Sequence, residues 1–407
     1  MISITTSRKS VWLMPLLAFC SFLVGFDSIA VVPLLPSIAA STDMPLTSGG
    51  LLYASYALAY ALTAPWMGSL SDRWNRKGVL LIGIALFGGA TALVGMGNTF
   101  ASLIFFRILT GIGAGMIEPV VYAIAGDAYS YEKRGRAMGV ITAALISSSV
   151  IGVPLAGAVA EFSSWNQAFW LIAVLSAAAL AGGAAVVPKE SSGGETDGLV
   201  TRMRGVFGNH SVCFSLLGSF LYYGALQGMF VLAGVFYYKM YGLGSGETGV
   251  LLMAAGLSSI AGSLLGGRWA DKRRKNRVIA AASVLSGTLV FALSLFTGYL
   301  WLSVLLHILW AAFYAAGQSA FTALISELDP KSRGTVMAFN SSAMYIGASA
   351  MSALAAALLS TGVFWPIGFM CGIANIFVMV IVTFAIRERG SGRGAGGDLP
   401  EIAGDQK

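Results

Sequence analysis

The run Gly68-Ser69-Leu70-Ser71-Asp72-Arg73-Trp74-Asn75-Arg76-Lys77 returns in altered form 199 residues later, as Gly267-Arg268-Trp269-Ala270-Asp271-Lys272-Arg273-Arg274-Lys275. Arg134-Gly135 and Arg333-Gly334 keep the same offset. Both copies of the run sit between long apolar stretches. A 407-residue chain that repeats itself at half length is two homologous halves in tandem. In a membrane, such repeats pack as two bundles related by pseudo-symmetry.

Hydrophobic residues make up 57% of the chain and charged residues only 11%. A soluble protein carries about 25% charged residues, so this chain buries its apolar surface by facing lipid. Its twelve apolar stretches run over 11–35, 47–70, 78–97, 102–126, 136–160, 166–187, 210–238, 248–267, 278–296, 300–324, 335–359 and 365–386. Each approaches the roughly 20 residues that a helix needs to cross a bilayer, where every backbone amide must be bonded internally. Of the 25 basic residues, all but Arg107 and Lys239 fall at the termini or in even-numbered gaps between stretches. The positive-inside rule therefore puts both termini in the cytoplasm. The net charge of +7 suits anionic lipid rather than nucleic acid.

Residues 188–209 are polar and Gly/Ser-rich, and are expected to form a cytoplasmic linker between bundles at 1–187 and 210–386; the Gly-rich tail at 387–407 is expected to be disordered. The first apolar stretch is too long for a cleaved signal peptide, and eleven more follow. Cys20, Cys213 and Cys371 have no paired spacing, so neither a disulfide nor a metal site is expected. No phosphate-binding G-x-x-x-x-G-K-[ST] loop is present. No cofactor is expected, and no segment is long enough for a soluble catalytic domain.

The repeated run resembles motif A of the major facilitator superfamily, G-x-L-a-D-r-x-G-r-r. Gly68, Leu70, Asp72, Arg73, Arg76 and Lys77 are in register, with Asn75 where the family has Gly. Asn tolerates positive φ better than other non-Gly residues, so a left-handed turn is expected there. In the family this loop latches the halves on the cytoplasmic side. The resemblance thus assigns Gly68, Asp72, Arg73, Arg76 and Lys77, with Gly267, Asp271, Lys272, Arg134 and Arg333, to a cytoplasmic gate. Physically, an Asp at one helix end can bond the N-terminal amides of another helix and pair with Arg. Arg107-Ile108-Leu109-Thr110-Gly111-Ile112-Gly113-Ala114-Gly115 resembles motif B, whose small residues let helices approach closely. Around Pro154 and Gly157 the helix-five antiporter motif is partly met, with Ser149, Val153 and Ala158 at three of its Gly positions. Ser164-Trp165-Asn166-Gln167-Ala168-Phe169 is similar to a further marker of the fold.

Asp27, Arg107 and Glu118 lie within apolar stretches, where each charge costs roughly 2.5–3.5 kcal/mol on the insertion scale. Counting inwards from the span ends puts Asp27 and Arg107 at similar depth. Asp27 is then either a proton-coupling switch or a neutraliser of Arg107. Glu118 lies eleven residues from Arg107, about three turns and roughly 16 Å along the same face. It can carry a proton, bind a cationic substrate, or bond a backbone amide freed beside Pro119. One half later, His307, Trp310, Tyr314 and Gln318 share one face of span ten at an offset of 200 from the Arg107–Glu118 stripe. This polar aromatic stripe suits a cavity for flat amphipathic molecules. Gln227, Asn340 and Asn375 can add polar contacts, and Tyr222 or Tyr223 can line the same space, but not both.

The expected architecture is an all-α membrane protein: twelve transmembrane helices in two pseudo-symmetric six-helix bundles, the major facilitator fold. The resemblance implies a secondary-active, proton-coupled exporter of small amphipathic molecules in a bacterial cytoplasmic membrane. Its partners would be a small-molecule substrate, protons and lipid, with no nucleic acid, and a monomer would suffice. A narrower exporter of a sugar, nucleoside or siderophore-like metabolite, or an uptake system, fits the same motifs. A membrane sensor would need a signalling domain, and a membrane enzyme a cluster of catalytic groups at one interface; neither is legible.

Overall fold

The computed structural model describes residues 8–129, 131–188, 208–272, 274–328 and 333–386, and within these the side chains at 8–10, 68–69, 72–73, 131–135 and 333–334 are not described. Most of the expected linker and the whole expected tail lie outside the described residues, as do the side chains of Gly68, Asp72, Arg73, Arg134 and Arg333.

Among the described residues, twelve helical rods follow one another. They are α1 (Arg8–Ser41), α2 (Gly49–Arg73), α3 (Arg76–Val94), α4 (Phe100–Ala128), α5 (Tyr131–Ser147, continued by Val153–Phe162), α6 (Trp165–Val186), α7 (His210–Phe230, continued by Ala233–Tyr241), α8 (Ser245–Lys272), α9 (Lys275–Leu295), α10 (Leu300–Leu328), α11 (Arg333–Leu359) and α12 (Trp365–Val380, extended by a π-turn Ile381–Ala385). Among the described residues, eleven helices are long and apolar enough to cross a membrane. The chain is a multi-pass membrane protein with an all-helical fold.

Local chemistry explains the ends and breaks. Thr99 and Ser102 form a reciprocal capping box that starts α4. Gly242 ends α7 at φ +69°, a left-handed position that costs glycine least. Asn75 corrects the expected turn: its φ is −76°, and its side chain accepts a bond from the Lys77 amide at 3.0 Å. Asn caps the start of α3, because a short side-chain acceptor satisfies an orphan amide with no left-handed strain. Within α5, a π-turn at Ser148–Gly152 precedes Pro154, whose ring supplies no backbone donor to the turn before it.

The halves pack alike. In each, the fourth helix lies against the second and third: α4 on α2 and α3, α10 on α8 and α9. α4 and α10 are offset by 200 residues end to end. Arg76 at the start of α3 pairs with Asp127 at the end of α4, and Lys275 at the start of α9 pairs with Glu327 at the end of α10 at 3.0 Å. Between the halves, α2 packs on α11, α5 on α8, and α1 on the second segment of α7. The hydrogen bonds described across this boundary lie away from the termini, at what is here named the distal end. Ser37 and Ser245 hydroxyls meet at 3.0 Å, Ser349 donates to Ala54 O at 2.8 Å, and the Gly246 amide donates to Glu161 at 3.3 Å. Small residues allow the approach. A Cβ on Gly50 would stand 2.5 Å from Ser352 O, and one on Gly234 or Gly157 would collide with the carbonyl of Val32 or Ser245.

Candidate functional site: an acid and a tyrosine seam between the halves

The glycines after Arg107 let α2 and α3 press onto α4. A Cβ on Gly113 would stand 2.7 Å from Phe87 N, and one on Gly111 would strike Tyr56 O. This close packing encloses Arg107. Its Nη1 donates to Asp27 Oδ2 at 2.7 Å and to Asp27 O at 3.3 Å. Thr91 donates to the other carboxylate oxygen at 3.2 Å, and the guanidinium lies 4.5 Å from the centre of the Tyr56 ring. Asp27 is 0% and Arg107 1% exposed, so the pair is sealed inside the N-terminal bundle. Arg107 Nε and Nη2 have no hydrogen-bond partner among the described residues. A pair so desolvated is costly to break, because removing either partner leaves an uncompensated buried charge.

Glu118 is placed differently. Ser21 on α1 donates to its two carboxylate oxygens at 3.0 Å each. Among the described residues no basic side chain pairs with it, and its partner is this hydroxyl rather than a backbone amide beside Pro119. Gly115, one turn before Glu118 on α4, packs on α2, where a Cβ would stand 3.0 Å from Tyr60 O. Tyr122 and Tyr345 keep part of their surface accessible, and Tyr60 is buried. Tyr60 and Tyr345 stack across the boundary at 4.0 Å. Farther towards the distal end, Gln227 donates to Tyr53 of the other half and to Tyr223 at 3.0 Å. The helix that carries Glu118 thus packs on α2, whose Tyr53 and Tyr60 form a seam with Gln227 and Tyr345 of the other half. Sequence reasoning did not single out Tyr53, Tyr56 and Tyr60, although their spacing of three and four places them on one face of α2.

The α10 stripe divides. His307 Nδ1 meets the Tyr237 hydroxyl at 3.0 Å, with the two rings stacked at 5.9 Å, and Trp310 lies 5.2 Å from His307. Both belong to a buried aromatic cluster of the C-terminal half. Tyr314 stacks on Tyr222 at 4.8 Å and donates to Gln318 at 3.0 Å. Gln318 and Asn340 both point donors at Met344 Sδ, at 3.8 and 3.4 Å. Tyr222 is buried and donates to Tyr314 O at 2.9 Å, so of the adjacent tyrosines it is Tyr223 that joins the seam. Asn375 donates to Cys371 O of its own helix at 2.9 Å. Pro154 and Gly157 lie where α5 meets α8, against Gly249 and Ser245.

Of the motif A residues described, Arg76 and Lys77 bind within their own half. Arg76 reaches Ala123 O at 3.1 Å as well as Asp127, and Lys77 Nζ donates to Ala184 O and Val187 O at 2.6 and 2.7 Å. Lys77 thus caps the C-terminal end of α6, where a cation meets orphan carbonyls and the negative end of the helix dipole. Asp271 and Lys272 are exposed, and Gly267 approaches Ser319. No group of three metal-ligating side chains occurs among the described residues. An apolar groove of about 540 Å³ runs along α7, α11 and α12, past Leu221, Met351 and Phe369. It holds no titratable group.

The Major Facilitator Superfamily profile matches residues 17–352 and 216–401. The uncharacterized MFS-type transporter YceJ of Bacillus subtilis is 29% identical over 82% of this chain and 86% of its own length. Multidrug resistance protein 2 of Bacillus subtilis is 23% identical over 86% of this chain and 88% of its own. The crystal structure of a D-xylose-proton symporter superposes with a TM-score of 0.79 at 16% identity, covering 93% of this chain and 98% of that one. The matches span both halves, and the chain belongs to the Major Facilitator Superfamily of membrane transporters.

Proposed function

We propose that the chain is a proton-coupled antiporter that exports small amphipathic molecules, such as drugs or toxic metabolites, across a bacterial cytoplasmic membrane. The observation that carries this reading is Glu118: a buried carboxylate on α4, bonded to a Ser21 hydroxyl and paired with no base among the described residues. Such an acid can exchange a proton for a substrate without first breaking an ion pair. The Asp27–Arg107 pair, sealed one bundle deeper, supplies a second charged element that responds when α1 and α4 shift. The similarity to a multidrug resistance protein supports export as the direction.

In this reading the halves, joined at the distal end, leave the seam to be loaded from the cytoplasm. Motif A closes that side when the distal end opens, with Asp72 as the latch. The membrane potential supplies about 2.3 kcal/mol per charge per 100 mV, roughly fiftyfold in concentration. One chain holds the complete site, so a monomer suffices and no cofactor takes part.

A second reading is export of a hydroxylated metabolite such as a sugar or nucleoside. It is favoured by Gln227 Oε1 and Asn340 Oδ1, buried acceptors with no donor among the described residues. A growth-inhibition panel in an efflux-deficient host separates the two. Resistance to chemically diverse amphipathic compounds, abolished by a protonophore, is the expected result. Protection against one metabolite alone supports the narrower exporter, and unchanged sensitivity throughout refutes both.

A further inference from the structure

Arg107 and Lys239 are the two basic residues that break the positive-inside pattern. Arg107 is answered by Asp27 at 2.7 Å. Lys239 pairs with no acid among the described residues. It is exposed, in the last turn of the second segment of α7, at the distal end. Three residues earlier on that segment, Phe236 meets Phe364 edge to face at 5.0 Å. Phe364 directly precedes Trp365 and Pro366, which form the distal mouth of the apolar groove. Residues three apart lie on one side of a helix, so Lys239 stands one turn beyond Phe236, above that mouth.

The groove opens because α11 and α12 each pack on α7 but touch one another sparsely. α7 comes in through glycines: a Cβ on Gly224 would stand 2.8 Å from Met351 Cγ, and one on Gly228 3.1 Å from Cys371 Sγ. Backbone at these positions leaves the space between α11 and α12 unfilled. Its volume is about 540 Å³, and its walls, from Leu358 and Trp365 to Leu221 and Phe377, are apolar. From Trp365 to Phe377 the helix rises about 18 Å, and half of a hydrocarbon core is about 15 Å. The groove thus spans one leaflet, the distal one, with a cation over its outer end. We propose that the groove and Lys239 bind one anionic phospholipid of the distal leaflet, with an acyl chain between α11 and α12 and the phosphate on the Lys239 ammonium. A zwitterionic headgroup fits less well, because it brings a cation of its own to the lysine. One lysine beside an anionic headgroup corresponds to about fivefold in affinity. The site is independent of what the transporter exports, and it sets a lipid on the segment whose Gly234 meets Val32 of α1.

The test places the purified full-length protein in phosphatidylcholine nanodiscs with a trace of photoactivatable lipid. The probe carries a diazirine on one acyl chain and is either a phosphatidylglycerol or a phosphatidylcholine with the same chains. Crosslinks are mapped to peptides. Those at Trp365–Phe377 should be about fivefold more abundant with the phosphatidylglycerol probe. Lys239→Arg, which keeps the charge, should retain that ratio. Lys239→Gln should bring it to near one, with crosslinking of the phosphatidylcholine probe unchanged. Lys239 also complements the dipole at the end of its helix, but loss of that role does not alter a ratio between two lipids. Leu354→Trp, which fills the groove from α11, should lower crosslinking there with both probes. Crosslinks spread evenly over the lipid-facing helices, a wild-type ratio of one, or a Lys239→Gln protein that keeps the preference overturns the proposal. Absence of lipid crosslinks on α12 together with a dimeric mass in detergent would assign the groove to a second copy of the chain, and overturns it as well.

Discussion

Replacing Gly234 by alanine should push the transporter out of its distally closed form. Gly234 opens the second segment of α7 and faces α1 of the other half, where a Cβ would collide with the Val32 carbonyl and lie 3.3 Å from Pro33 Cα. Both obstacles are backbone, so no rotamer change relieves them. Overpacking of this kind costs about 1–3 kcal/mol. That strain exists only while α1 and α7 touch. The ratio of distally closed to distally open molecules should therefore fall by about five- to 150-fold, since 1.4 kcal/mol is a factor of ten in an equilibrium. A suitable reporter is Ser349→Cys in a cysteine-free background, because Ser349 is buried against Ala54 O at 2.8 Å in the closed form. Its labelling by a membrane-impermeant thiol reagent from the distal side should accelerate in the Gly234→Ala protein. Gly89→Ala is the control: nothing lies within 4 Å of a Cβ there, so the mutation should leave labelling unchanged. Equal labelling rates for Gly234→Ala and its parent would refute the view that this glycine contact holds the distal closure.

Two further substitutions probe the charges. Asp27→Asn leaves Arg107 buried with no counter-charge, so the protein should lose about 3–5 kcal/mol of stability, seen as a lower Tm in detergent, and uphill transport should fail; a variant with unchanged Tm and active efflux would contradict the reading of the pair. Asp72→Ala removes the proposed cytoplasmic latch, and one charge-assisted bond is about 1.5–3 kcal/mol; labelling of seam cysteines from the cytoplasmic side should rise, and unchanged labelling would reduce motif A to a topology signal.

Much of the architecture is legible in the chain because it depends on properties local to each segment. Length and hydropathy mark the helices, and the return of motif A marks the halves. Depth counted from the span ends is enough to bring Asp27 near Arg107, since two helices crossing one slab share its boundaries. The seam was not legible for a complementary reason. Periodicity places Tyr53, Tyr56 and Tyr60 on one face of α2, but nothing local says that Tyr345 of the other half lies opposite. His307 and Trp310 show the same limit: their face of α10 is readable, yet the break at residues 231–232 is what brings Tyr237 against His307. At Asn75 two local preferences competed, and capping of α3 prevailed over the left-handed turn suggested by the motif. The acceptors of Lys77 are backbone carbonyls at the end of α6, which no side-chain pattern reveals.

The central claim is that Glu118 carries the proton that drives export. The most direct measurement compares wild type and Glu118→Gln in proteoliposomes, under an imposed pH gradient and in gradient-free exchange. Gln keeps the size of the side chain and can still accept from Ser21, but it carries no exchangeable proton. The account predicts that Glu118→Gln loses uphill transport of cationic and neutral substrates alike while downhill exchange persists. Loss confined to cationic substrates would make Glu118 a substrate ligand instead. Uphill transport of both classes at the wild-type rate would contradict the account.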